Sequence, residues 1–171
     1  PRNLCREAPE RVDASGKVLT PLDAEAVRRV ARFFRRQRVE AVAVCFIHSY
    51  RNPHHERQAG GILAEEFPEF HVSLSSDIAP EIREYERICT AVANAYVQPL
   101  MQTYLLALAR KLQAFGFTGP LYLMLSSGGI ATVHAGREHP IRLIESGPAG
   151  GAAAASYYSR VLDMPDLISL D

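Results

Sequence analysis

The stretch "EAVAVCFIHSYRNPHHERQAGGILAEEF", residues 40–67, constrains the fold more than any other part of this chain. It begins with a continuous apolar run that closes on polar residues, the pattern of a strand buried on both faces in a parallel sheet. It continues with Asn52 as a cap and Pro53 at the first helical position, where a fixed φ and a missing N–H cost nothing. Ala59, Ile62, Leu63 and Phe67 then recur at helical spacing as a buried stripe. Gly60 and Gly61 lower helix propensity, so they either permit close packing or mark a kink. A helix precedes this strand as well: Asp23 is a plausible N-cap, and Val27, Val30, Ala31 and Phe34 alternate with Arg28, Arg29, Arg32, Arg35 and Arg36. Helix, strand and helix in succession make the fold α/β, with a mixed, mostly parallel sheet flanked by helices.

The remaining segments extend this pattern. "RVDASGKVL" reads as a hairpin around a Ser-Gly turn, and "HVSLS" as a short strand. The longest helical pattern runs over residues 85–115, with Ile88, Val92 and Ala95 before Pro99 and Met101, Tyr104, Leu105, Leu108, Leu112 and Phe115 beyond it. That proline predicts a kink or two separate helices, since it removes a donor and clashes with the preceding turn at a cost of about 3 kcal/mol. Gly116 is a natural stop. "GPLYLMLSSGG" predicts a further buried strand, residues 130–138 a short helix or loop, and "HPIRLIESGPAGG" a strand, a glycine-rich turn and a helix. "LISLD" closes the chain as a strand pattern. We expect a single α/β segment of a longer polypeptide over residues 1–171.

Composition narrows the partners. The 171 residues carry 19 basic and 19 acidic side chains, a net charge of zero with the signs interspersed, so nothing predicts binding to nucleic acid or an anionic membrane. No apolar run approaches the roughly 20 residues of a membrane span. Cys5, Cys45 and Cys89 form no CxxC pair, which suits a reducing cytoplasm.

Two glycine-bearing turns draw attention as sites. Ser126, Ser127, Gly128 and Gly129 end one predicted strand, and Ser146, Gly147, Gly150 and Gly151 lie between the next strand and a helix. Ligands in α/β folds gather at the carboxyl ends of strands, and a helix start offers unpaired N–H groups and positive partial charge to a phosphate. The alternative is structural: Ser146 or Gly147 caps the helix, Pro148 occupies its first turn, and the alanine block packs closely on a sheet. Neither GxxxxGK[ST] nor GxGxxG occurs. His48, at a strand end beside "NPHHE", is positioned to reach a ligand edge or to serve as an ordinary surface histidine. The histidines show no HExxH spacing, so no protein-held metal is expected. "PEIREYER", residues 80–87, pairs Glu81, Glu84 and Glu86 with Arg83 and Arg87, the composition of a solvated helix start.

Taken together, "VEAVAVCFIHSYRNPHHE", "SSDIAPEIREYERICTAVANAYVQP", "GPLYLMLSSGG", "PIRLIESGPAGGAAAA" and the terminal "LISLD" resemble the hydantoinase A and 5-oxoprolinase family from about Arg11 onward. The resemblance implies the ATPase fold shared by actin, sugar kinases and heat-shock chaperones, and ATP-dependent opening of a small-molecule cyclic amide after phosphoryl activation. Subunits of acetone and acetophenone carboxylases are the alternative. It also implies ATP with a divalent metal, Mg or Mn, as cofactor, and as partners the remainder of the same chain and a hydantoinase B-like subunit. Asp171 matches the aspartate that opens a Gly-Gly-Thr phosphate hairpin in that family, so residues 165–171 would begin the next nucleotide-binding lobe. Ser126, Ser127, Gly128, Gly129, Ser146, Gly147, Gly150, Gly151 and Asp171 are the implied nucleotide contacts. Arg83, Arg87 and Asn94 are candidates for the substrate side, and the segment alone is expected to be inactive.

Overall fold

Asp23 starts the first long helix as its sequence position predicts: its side chain accepts the Ala26 N–H at 2.9 Å. The computed structural model describes residues 2–170, and the chain divides into two compact units, Pro1–Pro99 and Leu100–Asp171.

The first unit opens with a small antiparallel hairpin, β1 (Arg11–Val12) and β2 (Val18–Thr20). Its turn is tied by the Asp13 carboxylate, which accepts the N–H groups of Ser15 and Lys17, and Gly16 supplies a φ of 92°. Helix α1 (Ala24–Arg36) buries Ala26, Val27, Ala31 and Phe34. Strand β3 (Ala41–Val44) pairs in parallel with β4 (His71–Leu74), in the register Ala41 with His71 through Val44 with Leu74. Between them runs α2 (His54–Glu66), the expected crossover helix. It begins one residue later than predicted, at His54, whose N–H is held by Asn52 Oδ1 at 3.1 Å. The α1 and α2 stripes and the β3 valines form one core, which includes Leu22, Phe67 and Phe70. Gly60 is there for close packing, since a Cβ would sit 3.1 Å from Leu74 Cδ2, whereas Gly61 faces open space.

After β4 come the short helix α3 (Ser75–Ile78) and the 31-residue helix α4 (Glu84–Ala114), which continues through Pro99 where the sequence predicted a kink or break. The division between the units falls at that proline. Within the first unit α4 reverses the usual amphipathic rule. Its buried positions are Arg87, Ala91, Asn94, Ala95 and Gln98, while Ile88, Val92 and Tyr96 are exposed. Of Ile88, Val92 and Ala95, the apolar residues of the helical pattern before Pro99, only Ala95 is buried. The outward residues line, with Phe34, Val39 and Val44, an apolar groove of about 690 Å³.

In the second unit α4 ends as expected, with Gly116 at a φ of 86° and its N–H on the Gln113 carbonyl. The strand patterns fare differently. "LYLML" yields only β5 (Tyr122–Met124), which pairs antiparallel with β6 (Ile130–Thr132) in a partly exposed hairpin. "SSGG" is thus a hairpin turn and not a strand-to-helix loop. Helix α5 (Val133–Glu138) follows, started by the Thr132 hydroxyl. Residues 140–143 form a 3-10 turn instead of the predicted strand. Pro140 removes a ladder donor, and the Arg142 carbonyl is already taken by Ser126. Helix α6 (Ser146–Val161) starts after Glu145, which sits in the left-handed region at a φ of 60°. The cap is therefore Glu145, and neither Ser146 nor Gly147. Residues 165–170 adopt no strand, because a strand exists only beside a neighbour that pairs with it. Among the described residues the pairing makes three two-stranded sheets, one parallel and two antiparallel, within the expected α/β class. No helix among them is long and apolar enough to cross a membrane.

Candidate functional site

The carboxyl ends of β3 and β4 are held together by one carboxylate. Glu56 projects from α2 and is fully buried. Its Oε1 accepts the Phe46 N–H at 2.8 Å and the Ser75 hydroxyl at 2.6 Å, and its Oε2 accepts the Ser76 N–H at 2.8 Å. A buried carboxylate is costly unless its lone pairs are satisfied, and here both oxygens are used. Phe46 follows β3 and Ser76 follows β4, so Glu56 pins the two emerging segments to each other.

Arg87 completes the arrangement from α4. Its Nε donates to Ser75 Oγ at 3.1 Å, its Nη1 to the Glu81 carbonyl at 2.8 Å and its Nη2 to the Phe46 carbonyl at 2.7 Å. The guanidinium also lies 5.6 Å from the centre of the Tyr50 ring. Ser49 Oγ stands 3.3 Å from Ser75 Oγ. Two turns further along α4, Asn94 Nδ2 donates to Ser73 Oγ at 3.0 Å, and that hydroxyl donates to Gln98 Oε1 at 3.2 Å. Burial pushes the nearby Cys45 thiol up to about 12, the Glu56 charge adds to the shift, and Ser75 and Arg87 oppose it.

The substrate-side candidates therefore differ in kind. Arg87 and Asn94 sit inside this network, while Arg83 is exposed and faces Glu86 at 3.7 Å. Sequence reasoning missed Glu56, Ser73, Ser75, Ser76 and Gln98. A signal was present: Glu56, Ala59 and Leu63 share one helical face, as do Arg87, Ala91, Asn94 and Gln98, so polar residues fall inside the buried stripes.

In the second unit the two glycine segments are neighbours. Ser126 donates to the Arg142 carbonyl through both its N–H, at 2.8 Å, and its hydroxyl, at 2.9 Å. Gly128 makes the hairpin turn at a φ of 81° with open space around it, and Ser127 and Gly129 are exposed. Ser146, Gly147, Gly150 and Gly151 form the first turns of α6 itself. A Cβ on Gly150 would meet Met124 Cγ at 3.7 Å, so α6 approaches β5 there. The alanine block departs from expectation: α6 buries no residue. Asp171 lies outside the described residues.

Family models of the hydantoinase/oxoprolinase N-terminal region and of hydantoinase/oxoprolinase match residues 1–67 and 87–171. The chain belongs to the hydantoinase/oxoprolinase family. Among relatives, the caprolactamase subunit alpha of Pseudomonas jessenii is 33% identical over 100% of this chain and 25% of its own length. The 5-oxoprolinase of Saccharomyces cerevisiae is 35% identical over 82% of this chain and 11% of its own. The solved structure of the ATP-dependent Pseudomonas jessenii caprolactamase matches 95% of this chain with a TM-score of 0.88 at 34% identity, covering 23% of that chain. Acetone carboxylase, whose structure concerns ATP-dependent acetone carboxylation, matches 95% with a TM-score of 0.83 at 29% identity, again covering 23% of that chain. This family member thus spans about a quarter of the relatives that it matches end to end.

Proposed function

We propose that this chain is a segment of an ATP-dependent cyclic amide hydrolase, opening a lactam or hydantoin ring after phosphoryl activation. The observation that carries the reading is the match to the ATP-dependent caprolactamase, which extends over 95% of the chain in structure. ATP supplies the phosphoryl group that makes a stable amide carbon open to water. On the protein side, the work is positioning and charge neutralisation.

The nucleotide side is assigned to Ser126, Ser127, Gly128 and Gly129 with Ser146, Gly147, Gly150 and Gly151, and to Asp171. In support, α6 begins with no side chain bonded across its start, and a Cβ at Gly147 would meet nothing within 4 Å. A helix start of this kind leaves N–H groups for a phosphate. A divalent cation would arrive with the nucleotide phosphates. Arg83 is assigned to the substrate side directly, and Arg87 and Asn94 as positioning residues behind it. A second subunit is proposed because the caprolactamase relative is itself a subunit. Three free cysteines suit a cytoplasmic setting.

A carboxylase subunit is the second reading, supported by the TM-score of 0.83 to acetone carboxylase. Chromatography of the full-length protein incubated with ATP and 5-oxoproline, hydantoin or caprolactam tests the first reading. A ring-opened acid that requires ATP is expected, and carboxylated ketone from acetone and bicarbonate would replace it with the second.

A further inference from the structure

Among the described residues, strand β3 has a neighbour on one edge only. Successive peptide groups of a strand turn to opposite edges, and the His71 N–H on the Glu40 carbonyl, at 2.9 Å, fixes which set faces β4. Glu40, Val42 and Val44 belong to that set, so the N–H and C=O groups of Ala41 and Ala43 turn to the bare edge. Both alanines are half-buried. Main-chain groups kept from water are nearly always paired, and a bare strand edge is a template for another strand.

Helices cover both faces of this small sheet. Val42 and Val44 face the core built with α1 and α2, whereas Ser73, the register partner of Ala43, faces α4 through Asn94 and Gln98. The apolar groove of about 690 Å³ is the slot between α1 and α4 along the bare edge, lined by Val27 and Phe34 from one helix and by Ile88, Val92 and Tyr96 from the other. These three α4 residues recur at every fourth position and are exposed. Together they make an apolar face with nothing over it.

We propose that the groove holds a β-strand from the part of the polypeptide that precedes Pro1, paired to the Ala41 and Ala43 edge of β3. Three observations select this occupant. The chain enters at the groove, since Leu4, Cys5 and Ala8 line it. The chain also spans only about a quarter of the relatives that it matches end to end, so a polypeptide of their length has ample sequence for such a strand. Finally, a slot walled by a helix on each side admits one extended segment, whose alternate side chains meet the α1 side and the α4 side in turn. The edge of a second copy would arrive flanked by its own helices. The proposal does not depend on which reaction the full-length protein catalyses.

Site-resolved hydrogen exchange and photo-cross-linking of the full-length protein test it. The Ala41 and Ala43 amides are expected to exchange within about tenfold of the rates of Val42 and Val44, as members of one paired ladder do. Tyr96→p-benzoylphenylalanine, irradiated and digested, is expected to yield an adduct within the same chain to a peptide that precedes Pro1. Exchange of Ala41 and Ala43 at the rate of unpaired amides overturns the proposal. So does an adduct confined to residues 1–171, or one at the mass of a dimer, which would make a second copy the occupant. Protection that appears only on adding caprolactam, hydantoin or 5-oxoproline also overturns it and makes the groove a ligand pocket.

Discussion

Glu56 and Arg87, both fully buried, meet through the hydroxyl of Ser75, which donates to Glu56 Oε1 at 2.6 Å and accepts from Arg87 Nε at 3.1 Å. A serine that does both at once lets two opposite charges share a dry interior without direct contact, and it joins α2, α3 and α4 at a single atom.

Removing that atom isolates the two charges. Ser75→Ala is expected to cost about 1–3 kcal/mol, the penalty for leaving buried groups short of a partner. Glu56→Ala is expected to cost about 3–5 kcal/mol, since it strands the Arg87 charge and frees the N–H groups of Phe46 and Ser76. The double substitution is less damaging than the sum, because the two side chains belong to one network. Urea unfolding of the wild type and the three variants checks the cycle.

Cys45 lies against the same carboxylate, and burial together with the Glu56 charge pushes its thiol up to about 12 from 9.0. Cys5 and Cys89 are exposed. Alkylation at pH 8 followed by peptide mass spectrometry is expected to label Cys5 and Cys89 first and Cys45 only on unfolding. The sign of the pH effect follows from proton counting. Between pH 9 and 12 the unfolded thiol loses a proton that the folded one keeps, so this group lowers stability as pH rises through that window.

Two glycines separate packing from propensity. A Cβ on Gly136 would collide with Leu123 Cδ1 and press on Leu143 and Leu105, so Gly136→Ala is expected to destabilise by about 1–3 kcal/mol. Gly61 is exposed on α2 with nothing near a Cβ. There, Ala is expected to stabilise by roughly 0.5–1 kcal/mol through helix propensity alone. Thermal melts of the two variants should move in opposite directions.

The start of α6 has its own test. Gly147→Glu adds a negative charge where there is room for a side chain, and it is expected to weaken ATP binding by the full-length protein about tenfold or more while leaving its melting temperature unchanged. Unchanged affinity would remove α6 from the nucleotide side.

Much of the first unit was legible because its elements announce themselves locally. The Asp13 turn, the Asp23 cap, the valine strand and the Ala59, Ile62 and Leu63 stripe each satisfy a short-range rule. The buried face of α4 was not legible, because burial there is decided by Glu56 and Ser75, distant in sequence, and not by hydrophobicity. The second unit was harder: "PIRLI" and "LISL" have strand composition, but pairing depends on a neighbouring edge that periodicity cannot supply. The glycine segments were found, yet their form was not, since "SSGG" turned out to close a hairpin held to the Arg142 carbonyl. Residues of the Glu56 clamp were visible only as polar letters inside apolar stripes, a signal that a reading tuned to hydrophobic periodicity passes over.

The most direct measurement is the stoichiometry of ADP released to ring opened by the full-length protein supplied with ATP, a divalent cation and 5-oxoproline, hydantoin or caprolactam. We expect one of these to stimulate ATP hydrolysis, with about one ADP formed for each ring opened. Rings left intact by all three, with ATP hydrolysis stimulated instead by acetone and bicarbonate, would contradict the hydrolase reading.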